Sequence, residues 1–352
     1  MGNNFLIKLR NYNSPAYIIA EIGNNHNGKF KKAELLIKEA AKAGANAVKF
    51  QTWKANDIHN PLQLSKNFLK NFNVPKKYKF LIDYLKNIEL DYVHYNKLKK
   101  IAKFYNVDLI STPASVEALN FLIKLKISSI KIASMDINNS LLLKTCNLQI
   151  KKKIPIIIST GMSVINEINY AVNKLKNCNV AILHCVSNYP TSYEDASIQN
   201  ISMLREKYKK HVIGYSSHCP GIETEIGARS MGALIIEKHF TTDKKDKSLA
   251  EHHFSLDKKE FKDMVEAIRK IELSLGSYNR VLCKEEKLAV KKFRRSVVAV
   301  KNIKKNEKIS SKNVSLIRPG NGISAKEYFT VLGKKTNKSI RAFHPIKWKN
   351  LC

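Results

Sequence analysis

The sequence is short of acid. Its 352 residues carry 29 Asp and Glu against 62 Lys and Arg, a formal net charge of +33. An excess of that size raises nucleic acid or an anionic surface as a partner. Yet there is no basic arm, no long unbroken basic run and no motif that joins aromatic to basic residues, because the lysines are spread over almost every expected helix. The excess therefore reads as solvated helix faces, with a field that favours small anionic substrates, and no nucleic-acid partner is expected. Cysteine is also sparse: Cys146, Cys178, Cys185, Cys219, Cys283 and Cys352 form no C-x-x-C pair and no dense framework. That excludes a disulfide scaffold and suits a reducing compartment. No apolar run approaches the roughly 20 residues needed to span a bilayer. The opening MGNNFLIKLRNYNSP has no apolar core of signal-peptide length, and Leu6 stands where a myristoylation signal requires Ser or Thr. The expectation is a cytoplasmic protein with no membrane partner.

What is present is an alternation. With 44% hydrophobic residues the chain can bury a substantial core, and its length suggests two domains or one large domain with an appendage. Short apolar runs at 17–23, 46–52, 107–112, 128–134, 154–161, 180–185, 211–217 and 233–239 alternate with amphipathic segments such as 31–44, 116–126, 165–176, 200–208 and 258–276. The runs are mostly continuous in apolarity, as strands buried on both faces should be. Eight such strands with interleaved helices most simply close into a parallel (β/α)8 TIM barrel, an α/β fold. The stretch 53–93 is too long for one βα connection and reads as an insertion over the barrel mouth with one or two helices. After Gly276 the pattern changes. The expected organisation is a barrel domain over 1–276, a charged linker with a short helical piece over 277–292, and a small β-rich domain over 293–352.

The segment 214–240, GYSSHCPGIETEIGARSMGALIIEKHF, organises the rest. It reads as strand, loop, helix opened by Pro220 and closed by Gly232, and strand, with a histidine at the end of each apolar run. If the two strands are parallel neighbours, His218 and His239 lie at the same end of the sheet, where two imidazoles can hold a divalent metal or simply cap their strands. In a barrel the active site lies at the C-terminal strand ends. The residues there are Glu21; Lys49, Gln51 and Thr52; Ser111 and Thr112; Lys131, Ser134 and Asp136; Ser159 and Thr160; His184 and Ser187; Ser216 and His218; Glu237 and His239. Two lysines in one mouth suit a Schiff-base lysine, a clamp for phosphate or carboxylate, or plain pairing with neighbouring acids. The hydroxyls of Thr112, Ser134, Ser159 and Ser216 favour the clamp, since phosphate oxygens need several donors. Glu21 and Asp136 supply carboxylates for metal contact, proton transfer or a sugar hydroxyl.

The motifs AEIGNNHNG (20–28), VKFQT (48–52), STP (111–113), KIAS (131–134), STGM (159–162), LHC (183–185) followed by YPT (189–191), GYSSH (214–218), EKHF (237–240) and RPGNGIS (318–324) resemble, in order, the sialic-acid synthase family. These enzymes carry a C-terminal antifreeze-like, or SAF, domain. The resemblance implies condensation of phosphoenolpyruvate with an open-chain N-acylated amino sugar, N-acetylmannosamine or a 2,4-diacetamido-trideoxyhexose, to a nine-carbon α-keto acid and phosphate. It implies catalytic roles for Glu21, Lys49, Lys131 and Glu251. Thr112, Ser134, Ser159, Ser187 and Ser216 would surround phosphoenolpyruvate, and Gln51, Asp136 and Tyr189 would face the sugar. His218 and His239 would hold Mn²⁺, or Mg²⁺ or Co²⁺, which polarises the aldehyde. It further implies a homodimer in which Arg318, on the RPGNG turn, reaches the barrel of the other subunit. Two motifs depart from the family. Leu249-Ala250-Glu251-His252 stands where members commonly show Gly-x-Asp, and Ser134-Met135-Asp136 where many show Ser-Gly-Glu. Both departures fall on the sugar side. A Schiff-base aldolase and a carbohydrate-binding barrel without catalysis are the alternatives.

Overall fold

The apolar runs form eight strands: β1 (Tyr17–Gly23), β2 (Ala47–Thr52), β3 (Asp108–Pro113), β4 (Ser129–Ile132), β5 (Ile156–Ser159), β6 (Val180–Cys185), β7 (Val212–Ser217) and β8 (Ile235–His239). They pair in parallel in chain order and close β8 onto β1, giving the barrel the sequence implied. The structure, a computed structural model, describes residues 5–9, 14–58, 78, 80–249 and 251–352.

Every strand is buried on both faces, but the faces differ in what buries them. On β1, Ile18, Ala20 and Ile22 pack outward into the main core with Leu36, Ile37 and Ala40 of helix Phe30–Lys42. Ile19, Ala47, Ile110, Ile157, Ala181, Leu183 and Ile235 form a second, inner core in the barrel, against which Phe5, Leu6 and Leu9 pack. Each fully buried aliphatic side chain contributes about 1.5–3 kcal/mol, and this apolar layer offsets the charged layer above it. At Gly214 a Cβ would stand 2.5 Å from the Ile235 carbonyl oxygen and 2.5 Å from Leu183 Cδ2, so only glycine lets β7 approach β8 there.

Several expectations need correction in detail. The helix expected to open at Pro220 runs Glu223–Ser230. Gly221 has φ +72°, a left-handed turn outside the helix, and the Glu223 carboxylate accepts the Ile222 N–H at 2.9 Å. In the insertion, the described residues hold helices Ala55–Ile58 and Leu81–Ile88, while residues 59–77 and 79 lie outside the described residues, as does Ala250 of the altered motif.

The chain divides into two compact units, Met1–Gly276 and Ser277–Cys352. In the second, helix Lys284–Phe293 occupies much of the stretch read as a linker. β9 (Ser296–Ala299) and β10 (Val314–Ile317) pair antiparallel, over a core of Val297, Ala299, Ile303, Ile309, Val314, Ile323, Val331, Ile340 and Ile346. No helix among the described residues is long and apolar enough to cross a membrane.

Candidate active site

Side chains alternate along a strand, so the inward series that begins with the inner core continues toward the C-terminal ends as polar groups. Ile19 leads to Glu21, Ile110 to Thr112, Ile157 to Ser159, and Ile235 to Glu237 and His239. These groups line a cavity of about 480 Å³. It brings together Glu21, Lys49, Gln51, Thr112, Lys131, Ser134, Asp136, Ser159, Ser187, Tyr189, Ser216, His218 and His239. Thr52, Ser111, Thr160 and His184, named with them as strand-end groups, take the other parity and do not line it. Ser111 and Thr52 hydrogen-bond each other at 2.6 Å, and His184 Nε2 donates to the Ala196 carbonyl at 2.9 Å.

The floor is an alternating row of charges. Lys49 Nζ lies 2.7 Å from Glu21 and 3.6 Å from Glu237 Oε1, and Lys131 Nζ lies 3.6 Å from the same Glu237 oxygen. Burial works against the Lys49 charge, but Glu21 and Glu237 outweigh it and hold its pKa above the ordinary lysine value. Burial lowers that of Lys131, and Glu237 only partly restores it. Burial pushes Glu237 up, but Lys131 and Lys49 prevail and hold it below the ordinary carboxylate value. For Glu21 burial wins over Lys49 and leaves its pKa raised. Pairing of the lysines with neighbouring acids is thus realised in this state, and Glu237, which sequence reasoning left at a strand end without a role, is the shared counter-charge. Its position two residues before His239 carried the signal.

Hydroxyl donors surround the row. Ser216 Oγ donates to Glu237 Oε1 at 2.8 Å, and Lys49 Nζ donates to Thr112 Oγ1 at 3.5 Å. Ser159 Oγ is buried and has no hydrogen-bond partner, and Ser187 Oγ is buried against Tyr189, with which it hydrogen-bonds. Gly161 makes this clustering possible: its N–H donates to Ser134 Oγ at 3.0 Å, and a Cβ would stand 2.2 Å from Ser187 Oγ and 2.8 Å from Ser134 Oγ.

The two imidazoles stand with ring centroids 5.4 Å apart. His218 Nδ1 lies 2.8 Å from the Val186 carbonyl, which can only accept, so Nδ1 carries the proton and Nε2 keeps its lone pair. Burial holds the His218 pKa down at about 4, and burial together with His218 holds that of His239 well below the ordinary histidine value, so both rings are neutral at neutral pH. His239 Nδ1 is buried without a hydrogen-bond partner and 3.8 Å from Glu251 Oε2. Two neutral rings with a vacant nitrogen are a fitting half-site for a divalent ion. Among the described residues no group of three or more His, Cys, Asp or Glu is arranged to hold one, so the remaining ligands would come from substrate or water.

Glu251 does not line the cavity directly but stands behind Gly23 and Asn24, whose N–H lies 3.5 Å from its Oε2. Burial and the neighbouring Glu21 push its pKa up to about 7. Three further residues escaped the sequence reading. Asn24 links Trp53 Nε1 at 3.2 Å to Gln51 at 3.2 Å, and Gln51 in turn donates to Glu21 at 3.3 Å. The Phe254 ring lies 5.0 Å from His239 and 6.2 Å from His218. Asn24 sits inside the AEIGNNHNG motif and Phe254 just beyond Glu251, but neither has a residue type that announces chemistry. The Tyr189 ring lies tilted against His218 with centroids 4.1 Å apart, and burial raises the Asp136 pKa beside Asn139. Arg318 belongs to the second unit, on an exposed loop after β10, with its guanidinium 5.9 Å over the Phe293 ring. Ser296 Oγ donating to the Pro319 carbonyl at 2.7 Å and Gly320 N–H donating to the Lys291 carbonyl at 2.9 Å anchor that loop.

Comparison with known proteins agrees with this fold. Residues 36–280 match the NeuB family and residues 294–351 the SAF domain. The N,N'-diacetyllegionaminic acid synthase of Legionella pneumophila is 34% identical over 354 residues, covering 98% of this chain and 97% of its own. A pseudaminic acid synthase of Campylobacter jejuni is 35% identical over 341 residues, covering 95% of this chain and 97% of its own. The crystal structure of an N-acetylneuraminic acid synthetase from Leptospira borgpetersenii, in complex with citrate, superposes with a TM-score of 0.69 at 32% identity, over 79% of this chain and 91% of that one. With matches of that extent over a barrel whose strand ends carry the motifs in order, the chain belongs to the NeuB family and ends in an SAF domain.

Proposed function

We propose that this protein condenses phosphoenolpyruvate with an N-acylated amino sugar, giving a nine-carbon sialic-acid-type α-keto acid and phosphate. The observation that carries the reading is the unpartnered buried hydroxyl of Ser159, in the same cavity as Lys49, Lys131 and the Ser187 hydroxyl. Buried donors are normally satisfied, and a phosphate or carboxylate arriving there satisfies Ser159. Lys49 and Lys131 supply fixed charge for that anion, with Glu237 as the counter-charge it competes with. Thr112, Ser134 and Ser216 complete the donors around it.

C3 of phosphoenolpyruvate forms the new bond to the sugar aldehyde carbon, water adds at C2, and the C2–O bond to phosphate breaks as the keto group forms. The aldehyde oxygen ends as a hydroxyl and phosphate leaves with the ester oxygen, so no imine and no external reductant are needed. Glu21, 2.7 Å from Lys49 in the same cavity, is the carboxylate assigned to proton transfer or metal contact. Gln51 and Asp136 orient sugar hydroxyls, and Tyr189 covers the cavity beside His218. A divalent ion held by His218 and His239, Mn²⁺ before Mg²⁺ or Co²⁺, supplies Lewis-acid polarisation of the aldehyde when bound. We extend the proposal to a homodimer, in which Arg318 of the partner subunit reaches the sugar. Its exposed position on an anchored Pro-Gly loop supports that role. Six free cysteines suit a cytoplasmic setting.

The test is phosphate release from phosphoenolpyruvate by the purified protein with Mn²⁺ and a panel of N-acylated amino sugars; silence with every sugar would overturn the reading. The lowered pKa of buried Lys131 is the one observation that favours a Schiff-base aldolase instead. Borohydride reduction in the presence of pyruvate separates the two, since only an imine leaves a covalent adduct on Lys131.

A further inference from the structure

Between Glu237 and His239, Lys238 takes the opposite parity and points out of the barrel. There it meets Glu225 of helix Glu223–Ser230 at 2.7 Å, and neither side chain has any exposed surface. Its ammonium also donates to the Cys219 carbonyl and, at 3.5 Å, to Ser217 Oγ. Ser217 and Cys219 are the two residues that flank His218. β7 ends at Ser217, whose ladder partner is Lys238 itself, so His218 lies just past the last rung, where its backbone is held not by strand pairing but by the Thr191 N–H donating to its carbonyl at 3.1 Å.

A wholly buried ion pair is a poor way to stabilise a strand–helix contact, since packed apolar residues of similar volume do as well or better. What this pair does that Leu or Met could not is hold a hydrogen-bond donor against the Cys219 carbonyl. We infer that Lys238, held in place by Glu225, is a positioning residue. It clamps both flanks of His218 and so sets the 5.4 Å spacing of the two imidazoles. The other contacts that hold His218 are the Nδ1 bond to the Val186 carbonyl, the Thr191 N–H that donates to the His218 carbonyl at 3.1 Å, and the Tyr189 and Phe254 rings against the imidazole. The inference rests on reading His218 and His239 as a metal half-site. Lys238 itself touches neither the cavity nor any reacting atom.

The experiment titrates Mn²⁺ into metal-free protein, following the loss of the free ion's paramagnetic resonance signal. Phosphoenolpyruvate binding is measured separately in EDTA. The variants are Glu225→Leu/Lys238→Met, which removes both charges and keeps the volume, and Lys238→Arg, which keeps the charge but moves the donor. The expected result is a folded double variant whose Mn²⁺ dissociation constant rises about tenfold or more, the scale of lost outer-shell support, with phosphoenolpyruvate binding unchanged. Mn²⁺ binding within about twofold of wild type in that folded variant would overturn the inference, because outer-shell support is worth more than this. Should the double variant not fold, Lys238→Arg is judged by the same two outcomes. Failure of the wild-type protein to take up Mn²⁺ would sink the metal reading itself, a result distinct from loss of the clamp.

Discussion

Ser216 Oγ donates to Glu237 Oε1 at 2.8 Å, across the rung on which β7 and β8 pair these two residues. The bond fixes the one carboxylate oxygen that lies 3.6 Å from both Lys49 and Lys131. Glu237→Gln keeps the shape and removes the charge, leaving two buried ammonium groups to share Glu21. Breaking a buried pair from one side costs about 3–5 kcal/mol. In phosphate-free buffer the variant is expected to melt well below wild type, and phosphoenolpyruvate or inorganic phosphate to raise its Tm by more than it raises that of wild type. An equal or smaller rise would mean that the lysines are not the anion seat.

His218→Ala and His239→Ala are each expected to leave the barrel folded and to abolish stoichiometric Mn²⁺ uptake, since each removes one of only two imidazoles at the site. Phosphate release should fall at least about a hundredfold, the equivalent of the several kcal/mol that Lewis-acid polarisation supplies. Metal analysis after dialysis reads the first effect and circular dichroism the fold. Full metal occupancy in the double variant would remove both residues from the site.

How much of this could be read from the sequence follows from parity. The apolar runs named all eight strands because continuous apolarity is what two buried faces require. The same continuity hid which residues face inward: Thr112 and Ser111 are equally plausible in a run such as DLISTP, yet only the first reaches the cavity. A parity count from the histidines would have sorted them, since Glu237 and His239 share a face and Lys238 does not. What no local pattern reveals is pairing across elements. Glu237 between two lysines, Asn24 between Trp53 and Gln51, and Glu225 beneath Lys238 depend on barrel closure and helix docking. The Gly221 turn that delays the helix to Glu223 is likewise a backbone conformation, invisible in the apolar period.

Stability should fall with acid through histidines remote from the metal half-site. Burial, aided by Lys32, holds the His26 pKa down at about 3, and burial likewise holds His252 at about 4. Both titrate near 6.5 when unfolded, so below that pH the unfolded chain binds the extra protons. Their contribution is complete above about pH 6.5 and declines by about 1.4 kcal/mol per pH unit for each histidine until its folded pKa is reached. His26 Nδ1 accepts the Gly28 N–H at 3.0 Å, an interaction that an Asn side-chain oxygen can imitate. Urea unfolding of His26→Asn between pH 7.5 and 4.5 should show a slope shallower by about one histidine's share. An unchanged slope would show that His26 is not held neutral.

The sugar's far end is expected to be apolar. Away from the lysines and the imidazoles, the cavity wall is Trp53, Ile58, Leu85, Ile88, Met135 and Met162, and among the described lining residues the only cations are Lys49 and Lys131. With the aldehyde at the imidazole pair and the anion over the lysines, carbons 4 to 6 of an open-chain hexosamine extend toward that wall. A 6-phosphate would meet no cation among the described lining residues of its own subunit there, and its desolvation costs several kcal/mol. A 6-deoxy methyl would gain about 0.8 kcal/mol. In phosphate-release assays kcat/KM should therefore be highest for a 2,4-diacetamido-2,4,6-trideoxyhexose, lower for N-acetylmannosamine, and at least about a hundredfold lower again for its 6-phosphate. Met135→Lys should narrow the last gap by placing an ammonium on the wall while leaving the KM for phosphoenolpyruvate unchanged. If the 6-phosphate proves the best substrate of the wild-type protein, the sugar must lie with its far end away from Met135 and Met162, and the wall they form serves some other part of the reaction.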